Sequence, residues 1–156
     1  MREAASRSSF VLVDTMLDAG VRKHRLEFSE TIYEMMLQNQ VRPSSFTVTI
    51  LVKLFGRRHD LEAAFKIVDE LPKKHNFPLN SHVYTCLISA CIQNNAFTRA
   101  VEVFEIMKAS TDEQCAPDAK TYSALITGAS RGGHLESGMS IFHDMIKAGK
   151  VQQMEH

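Results

Sequence analysis

The sequence predicts an all-α fold, a right-handed α-α superhelix (solenoid) of about four helix-turn-helix repeats. Three observations predict it. Hydrophobic landmarks recur at a spacing in the mid-thirties, apolar residues within each copy recur every three or four positions, and turn-forming residues fall at equivalent places between copies. A helical hairpin of this size has too little core by itself, so neighbouring hairpins must stack and bury each other's apolar faces.

The recurrence is clearest downstream. HVYTCLISACIQNNAFTRAVEVFEIMK from His82 and KTYSALITGASRGGHLESGMSIFHDMIK from Lys120 share a Tyr, a Leu-Ile pair, a polar break and a second amphipathic run. Tyr84 and Tyr122 stand 38 residues apart. The stretch from Phe46 fits the same frame, with Val48 in the Tyr84 place, Ala64 in the Ala100 place and Leu71 in the Met107 place, each offset by 36. A degenerate copy begins near Phe10, where Val13, Ser29 and Met36 precede their counterparts by 35. One domain is expected over residues 1–156, with repeats at about 10–44, 45–80, 81–118 and 119–152.

Each repeat divides into two helices. Leu51, Leu54 and Phe55, then Leu61, Ala64, Phe65 and Val68, keep the spacing of one helical face. The breaks within repeats are polar, basic or glycine-containing: Gly56 to Asp60, Gln93 to Asn95, and Arg131 to Gly133, the last suited to a left-handed helix terminus. Pro43, Pro78 and Pro117 follow the second helices, and Ser44, Asn80 and Asp118 stand where N-caps belong. Pro72 is expected to cut its helix short. The linker from Met107 to Pro117 is about three residues longer than the one from Met36 to Pro43, an insertion that loops absorb cheaply.

Composition removes several alternatives. The chain has 156 residues, 44% hydrophobic and 23% charged, which is ordinary for a globular protein. No run approaches the roughly 20 apolar residues that a membrane helix needs. Eighteen basic and eighteen acidic residues cancel, so the global positive field of promiscuous nucleic-acid binders is missing. Cys86, Cys91 and Cys115 contain no CxxC pair, which argues for a reducing compartment over a disulfide framework or zinc ribbon. The opening MREAASRSSF is too short for a transit peptide; the expectation is a removed signal or a fragment.

The pattern resembles the pentatricopeptide repeat family, in which a first helix opening with a TYNxLI-like segment is followed by an AlxlFxxM-like second helix and a Pro-Asp end. The matching stretches are TYSALI at Thr121, VYTCLI at Val83, AVEVFEIMK at Ala100, GMSIFHDMIKAG at Gly138, and Pro117-Asp118. The resemblance runs from about Phe10 to Gly149. The related tetratricopeptide family is expected to show Trp-Leu-Gly, and this chain has no Trp.

The resemblance implies binding of single-stranded RNA at roughly one base per repeat, in a mitochondrion or plastid, with a role in RNA processing, stability or translation. It implies no cofactor, no metal and no membrane partner. It assigns base reading to the fifth residue of each first helix, here Asp14, Thr49, Thr85 and Ser123, and to the repeat-terminal residues Ser44, Asn80 and Asp118. Thr49 with Asn80 then corresponds to adenine and Thr85 with Asp118 to guanine. An ionised Asp only accepts hydrogen bonds, whereas Asn offers a donor and an acceptor together. Base stacking falls to Val11, Phe46, His82 and Lys120, the last a departure from the usual apolar choice. Lys53 and Arg57, beside Arg58, and Arg131 in the Arg57 place are candidates for phosphate contacts.

Plainer readings stand beside these. Ser44, Asn80 and Asp118 are good helix caps whatever the protein binds, an aromatic early in an amphipathic helix is often core, and surface cations are often merely solvated. Gly128, Gly132 and Gly133 lack the Gly-Lys-Ser/Thr of a phosphate loop. His134 and Glu136 form an HxE pair with no downstream PCxxC to complete a zinc site. Cys86 and Cys91 lie roughly 140° apart around a helix and cannot chelate together. No catalytic assignment follows. The alternatives to RNA binding are a protein-interaction scaffold in an organellar ribosome or other large assembly, and the substrate-binding arm of a larger enzyme.

Overall fold

A computed structural model of the chain describes residues 12–20 and 26–149. The described residues are helical and contain no strand. They gather into two compact units, Met1–Pro78 and Leu79–His156.

The first unit holds α1 (residues 12–20), α2 (Leu26–Gln38), α3 (Ser45–Arg57) and α4 (Leu61–His75). Its landmarks Ser29, Val48 and Ala64 are fully buried, Met36 and Leu71 nearly so and Val13 half-buried, and Leu17 and Leu51 complete the core. That burial is why these positions recur in the sequence. Ser44 caps α3 through a capping box with Thr47, and the Asp60 side chain accepts the Ala63 amide to start α4, satisfying amides that a helix start leaves orphaned. The break between α3 and α4 is shorter than expected, because Gly56 is buried inside α3 and the turn is confined to Arg58–Asp60 with His59 left-handed at φ 59°. Arg58 pairs with Glu30 of α2 at 2.6 Å.

Pro72 overturns an expectation, since it lies within α4, which continues to His75. A proline there forfeits one backbone donor. The last turn persists because its far end is tied down. Asn76 turns left-handed at φ 52°, the Asn76 and Phe77 amides both donate to the Pro72 carbonyl, and the Arg42 guanidinium donates to the His75 carbonyl. Lys73, Lys74 and His75 also place basic groups at the negative end of the helix.

The second unit holds α5 (Ser81–Gln93), α6 (Phe97–Ala109), a 3₁₀ turn (Glu113–Cys115), α7 (Ala119–Gly132) and α8 (Leu135–Lys147). Val83, Ile88, Cys91, Ala100 and Leu125 are fully buried, and Phe104 meets Tyr122 edge-on at 5.5 Å. The longer linker is accounted for by the 3₁₀ turn, capped by Asp112, whose Cys115 is buried and donates its thiol to the Leu79 carbonyl at 3.5 Å. Gly133 ends α7 left-handed at φ 76°, as the Arg131–Gly133 break implied. Lys108 of α6 bridges to Asp144 of α8 at 3.1 Å. No helix among the described residues is long and apolar enough to cross a membrane.

Candidate nucleic-acid interface

The second unit carries a groove of about 910 Å³ whose walls are one face of α5 and one face of α7. Thr85, Ser89 and Ile92 come from α5, and Lys120, Ala124, Thr127 and Arg131 from α7. Both sets keep steps of three or four, so each is a single helical stripe. Small and hydroxyl-bearing side chains leave the space open. Lys120 and Arg131 put a cation near each end of α7, about 16 Å apart along its axis at 1.5 Å per residue. A Cβ added to Gly128 would lie 2.6 Å from Ile92 Cδ1, so glycine is what lets the two helices approach along the groove. His134 stacks on Phe97 at 4.5 Å with the rings nearly parallel, and both rings line the groove.

A chain of polar contacts joins the first turns of α5 and α7. Thr85 Oγ1 and Thr121 Oγ1 are 2.8 Å apart. Thr121 Oγ1 is 3.0 Å from Asp118 Oδ1, which also accepts the Thr121 amide at 3.0 Å. The Asp118 amide donates back to Thr121 Oγ1 at 3.2 Å, closing a capping box, and Ser81 Oγ donates to Asp118 Oδ2 at 3.4 Å. Thr85 and Asp118 are half-buried while Thr121 is fully buried.

The other sequence candidates fall in varied surroundings. Ser123 is half-buried and lines the groove with Thr85, Lys120 and Arg131. Asn80 is half-buried and caps α5, its Oδ1 accepting the Val83 amide at 3.1 Å. His82 is exposed, its Nε2 4.0 Å from Cys86 Sγ. In the first unit, Phe46 and Lys53 are exposed, and Arg57 and Ser44 are half-buried. Thr49 is only 2% exposed and donates to the Ser45 carbonyl at 3.1 Å. Asp14 is 4% exposed, and its Oδ1 accepts from Thr47 Oγ1 at 2.8 Å. Burial pushes the Asp14 carboxyl above the usual carboxylate range, and the Thr47 hydroxyl pulls it part of the way back. Val11 lies outside the described residues. No cluster of His, Cys, Asp or Glu suited to a metal occurs among the described residues.

Sequence reasoning missed Thr121, Ser81, and the Phe97–His134 stack. Thr121 did have a signal. It occupies the third position after its cap, as Thr47 does in its own repeat, where a hydroxyl can return a bond to the cap amide.

Family models for pentatricopeptide repeats match residues 79–131 and, for single repeats, residues 46–75 and 120–149. Among curated proteins, the chain is 31% identical over 124 residues to the mitochondrial 15S rRNA processing factor CCM1 of Yarrowia lipolytica, matching 77% of this chain and 16% of that protein. It is 23% identical over 145 residues to the mitochondrial 15S rRNA processing factor ppr3 of Schizosaccharomyces japonicus, matching 93% of this chain and 21% of that one. The chain thus spans about a fifth of the length of the curated relatives it matches. In structure it resembles the maize pentatricopeptide repeat protein PPR10 at a TM-score of 0.76, and PPR10 in complex with an 18-nt psaJ RNA element at 0.80. Each likeness covers 90% of this chain and 20% of the other at 18% identity, and shows the helical-hairpin repeat fold.

Proposed function

Because the chain belongs to the pentatricopeptide repeat family, we propose that it is an RNA-binding module that recognises single-stranded RNA at about one base per repeat and serves the processing, stability or translation of an organellar transcript. The observation that carries this reading is the groove of the second unit, where Thr85 and Ser123 stand on facing walls with Lys120 and Arg131 on α7. Bases meet hydroxyl and carboxylate groups at the first turns of α5 and α7, with Lys120 in the stacking place and Arg131 accompanying the phosphates. The relatives that are named mitochondrial rRNA processing factors, and the RNA bound to PPR10, support it. The relatives named mitochondrial also favour the mitochondrion over a plastid.

The Thr85 and Asp118 pair reads guanine in this proposal. A short RNA centred on AG is expected to outcompete one centred on UU in a fluorescence-anisotropy titration at fixed salt. Equal competition removes the base-reading proposal. Stacking at about 1–3 kcal/mol per base gives two well-formed readers roughly 2–6 kcal/mol, below the about 8 kcal/mol of micromolar binding. The titration is therefore run at high protein concentration.

A second reading, a scaffold for protein partners in an organellar ribosome or other large assembly, is favoured by one feature. Leu135, Met139, Phe142 and Ile146 of α8 are all exposed, at 68%, 65%, 44% and 47%, a row of apolar side chains of the kind that marks interaction surfaces. Protein partners captured on the chain and retained through nuclease treatment support this reading, and their release by nuclease counts against it.

A further inference from the structure

We propose that Thr121 is a positioning residue that fixes the hydrogen-bonding polarity of the base-reading pair, turning the Thr85 hydroxyl into an acceptor. This rests on the base-reading role of Thr85 and Asp118 proposed above.

The argument is a count of protons. A threonine hydroxyl has one hydrogen to donate and two lone pairs to accept with, and an ionised carboxylate only accepts. Thr121 Oγ1 sits 3.0 Å from Asp118 Oδ1, a contact that is attractive only when the Thr121 hydrogen points at the carboxylate. That hydrogen is then spent. The Asp118 amide supplies one hydrogen to Thr121 Oγ1. The remaining lone pair meets Thr85 Oγ1 at 2.8 Å, so Thr85 must be the donor in that contact. Thr121 is fully buried, where an unsatisfied or lone-pair-opposed arrangement is most costly.

Thr85 thus enters the groove with its hydrogen committed and its lone pairs available. Asp118 spends Oδ1 on the Thr121 amide and hydroxyl, and among the described residues Oδ2 receives only Ser81. The pair therefore offers two acceptors. Among the four RNA bases, guanine alone carries two adjacent N–H donors on its pairing edge. Adenine and cytosine set a donor beside an acceptor, and uracil flanks one donor with two acceptors. Thr121 touches no base in this arrangement and selects guanine through the two groups it orients.

The test uses the full chain with two decamers, UUUUAGUUUU and UUUUAAUUUU, in competition titrations at fixed low salt. Thr121→Val removes the hydroxyl at nearly constant volume, and Val83 fills the same place in the preceding hairpin at 0% exposure, so valine suits this helical turn. The unaltered chain is expected to prefer the guanine decamer by about tenfold, the discrimination of a good two-bond contact. Thr121→Val is expected to bring the ratio to within about twofold by raising adenine-decamer affinity, because a released Thr85 hydroxyl can donate to adenine as well as accept from guanine. Thr121→Ser, which restores the hydroxyl, is expected to restore the preference. Thermal melts of both variants report folding separately.

No guanine preference in the unaltered chain removes the base-reading proposal and this inference with it. A preference that survives in a folded Thr121→Val chain overturns the inference alone, as does a folded Thr121→Ser chain that has lost it. If Thr121→Val melts out, Thr121→Ser decides.

Discussion

Phe104 and Phe142 stand 38 residues apart in the same place of successive hairpins, yet truncating them should have unequal consequences. Phe104 is 1% exposed, meets Tyr122 edge-on at 5.5 Å and carries Lys108 Nζ 4.7 Å from its ring centroid. Phe142 is 44% exposed. Phe104→Ala removes a buried ring from a close-packed site and should cost about 3–5 kcal/mol. Phe142→Ala gives up roughly half of a ring's burial, about 1 kcal/mol. With a urea dependence of about 2 kcal/mol per molar, the midpoints should fall by about 2 M and 0.5 M respectively. The assay is urea unfolding followed by circular dichroism, with slopes compared so that a change in the unfolded state is not mistaken for lost packing. Phe104→Leu, expected to cost about 1.5 kcal/mol, keeps the comparison informative if the alanine variant does not fold. Equal midpoint shifts for Phe104→Ala and Phe142→Ala would refute the reasoning.

Three other outcomes follow from the same structure. The Asp14 carboxyl, raised by burial, holds its proton more tightly folded than unfolded, so stability should fall as pH rises through the interval between those two values and stay lowered above it. Asp14→Asn should flatten that interval in melting curves taken from acid to neutral pH, and an unchanged slope would contradict it. The Cys91 thiol is fully buried and pushed up to about 11 by that burial, so a thiol reagent at pH 8 should label it only after denaturant is added, as peptide mapping would show. Arg131→Ala should lower the slope of log affinity against log salt by about 0.7, the value for one phosphate on a single strand. The preference for guanine over adenine should stay as it was.

The repeat was legible because burial is periodic in a hairpin. Ala64, Ala100 and Met107 lie in the frame found in the sequence and are at most 1% exposed. The caps were legible for a local reason, since Ser44, Asn80 and Asp118 each bond an amide three residues on. Pro72 was misjudged because one group that holds the end of α4, the Arg42 guanidinium, comes from 33 residues away. The hydroxyl chain was illegible for the same reason. Thr85 and Thr121 are 36 residues apart, and a hydrophobic pattern records which positions are buried without recording which polar groups meet there. Capping leaves room for the proposed base reading at Asp118, whose Oδ1 closes the helix while Oδ2 accepts from Ser81.

The two units use the same device with the groups exchanged. In the second, the fifth-place residue is the hydroxyl of Thr85 and the repeat-terminal residue the carboxylate of Asp118, with Thr121 between. In the first, the fifth-place residue is the carboxylate of Asp14 and the terminal residue the hydroxyl of Ser44, with Thr47 between. The proton on Thr47 goes to Asp14, and the Ser44 amide donates to Thr47 Oγ1 at 3.1 Å. The chemistry is alike but the exposure is not. Asp14 is 4% exposed with Oδ1 engaged, leaving little carboxylate surface for a base, whereas Thr85 and Asp118 are half-buried and Thr85 lines the groove. Guanine discrimination by this chain should therefore concentrate at one nucleotide. Because selectivity is a ratio of affinities, that single position can be sharply read even where total binding is weak. Moving one guanine stepwise through a uridine decamer should thus leave a competition optimum set by the second unit alone.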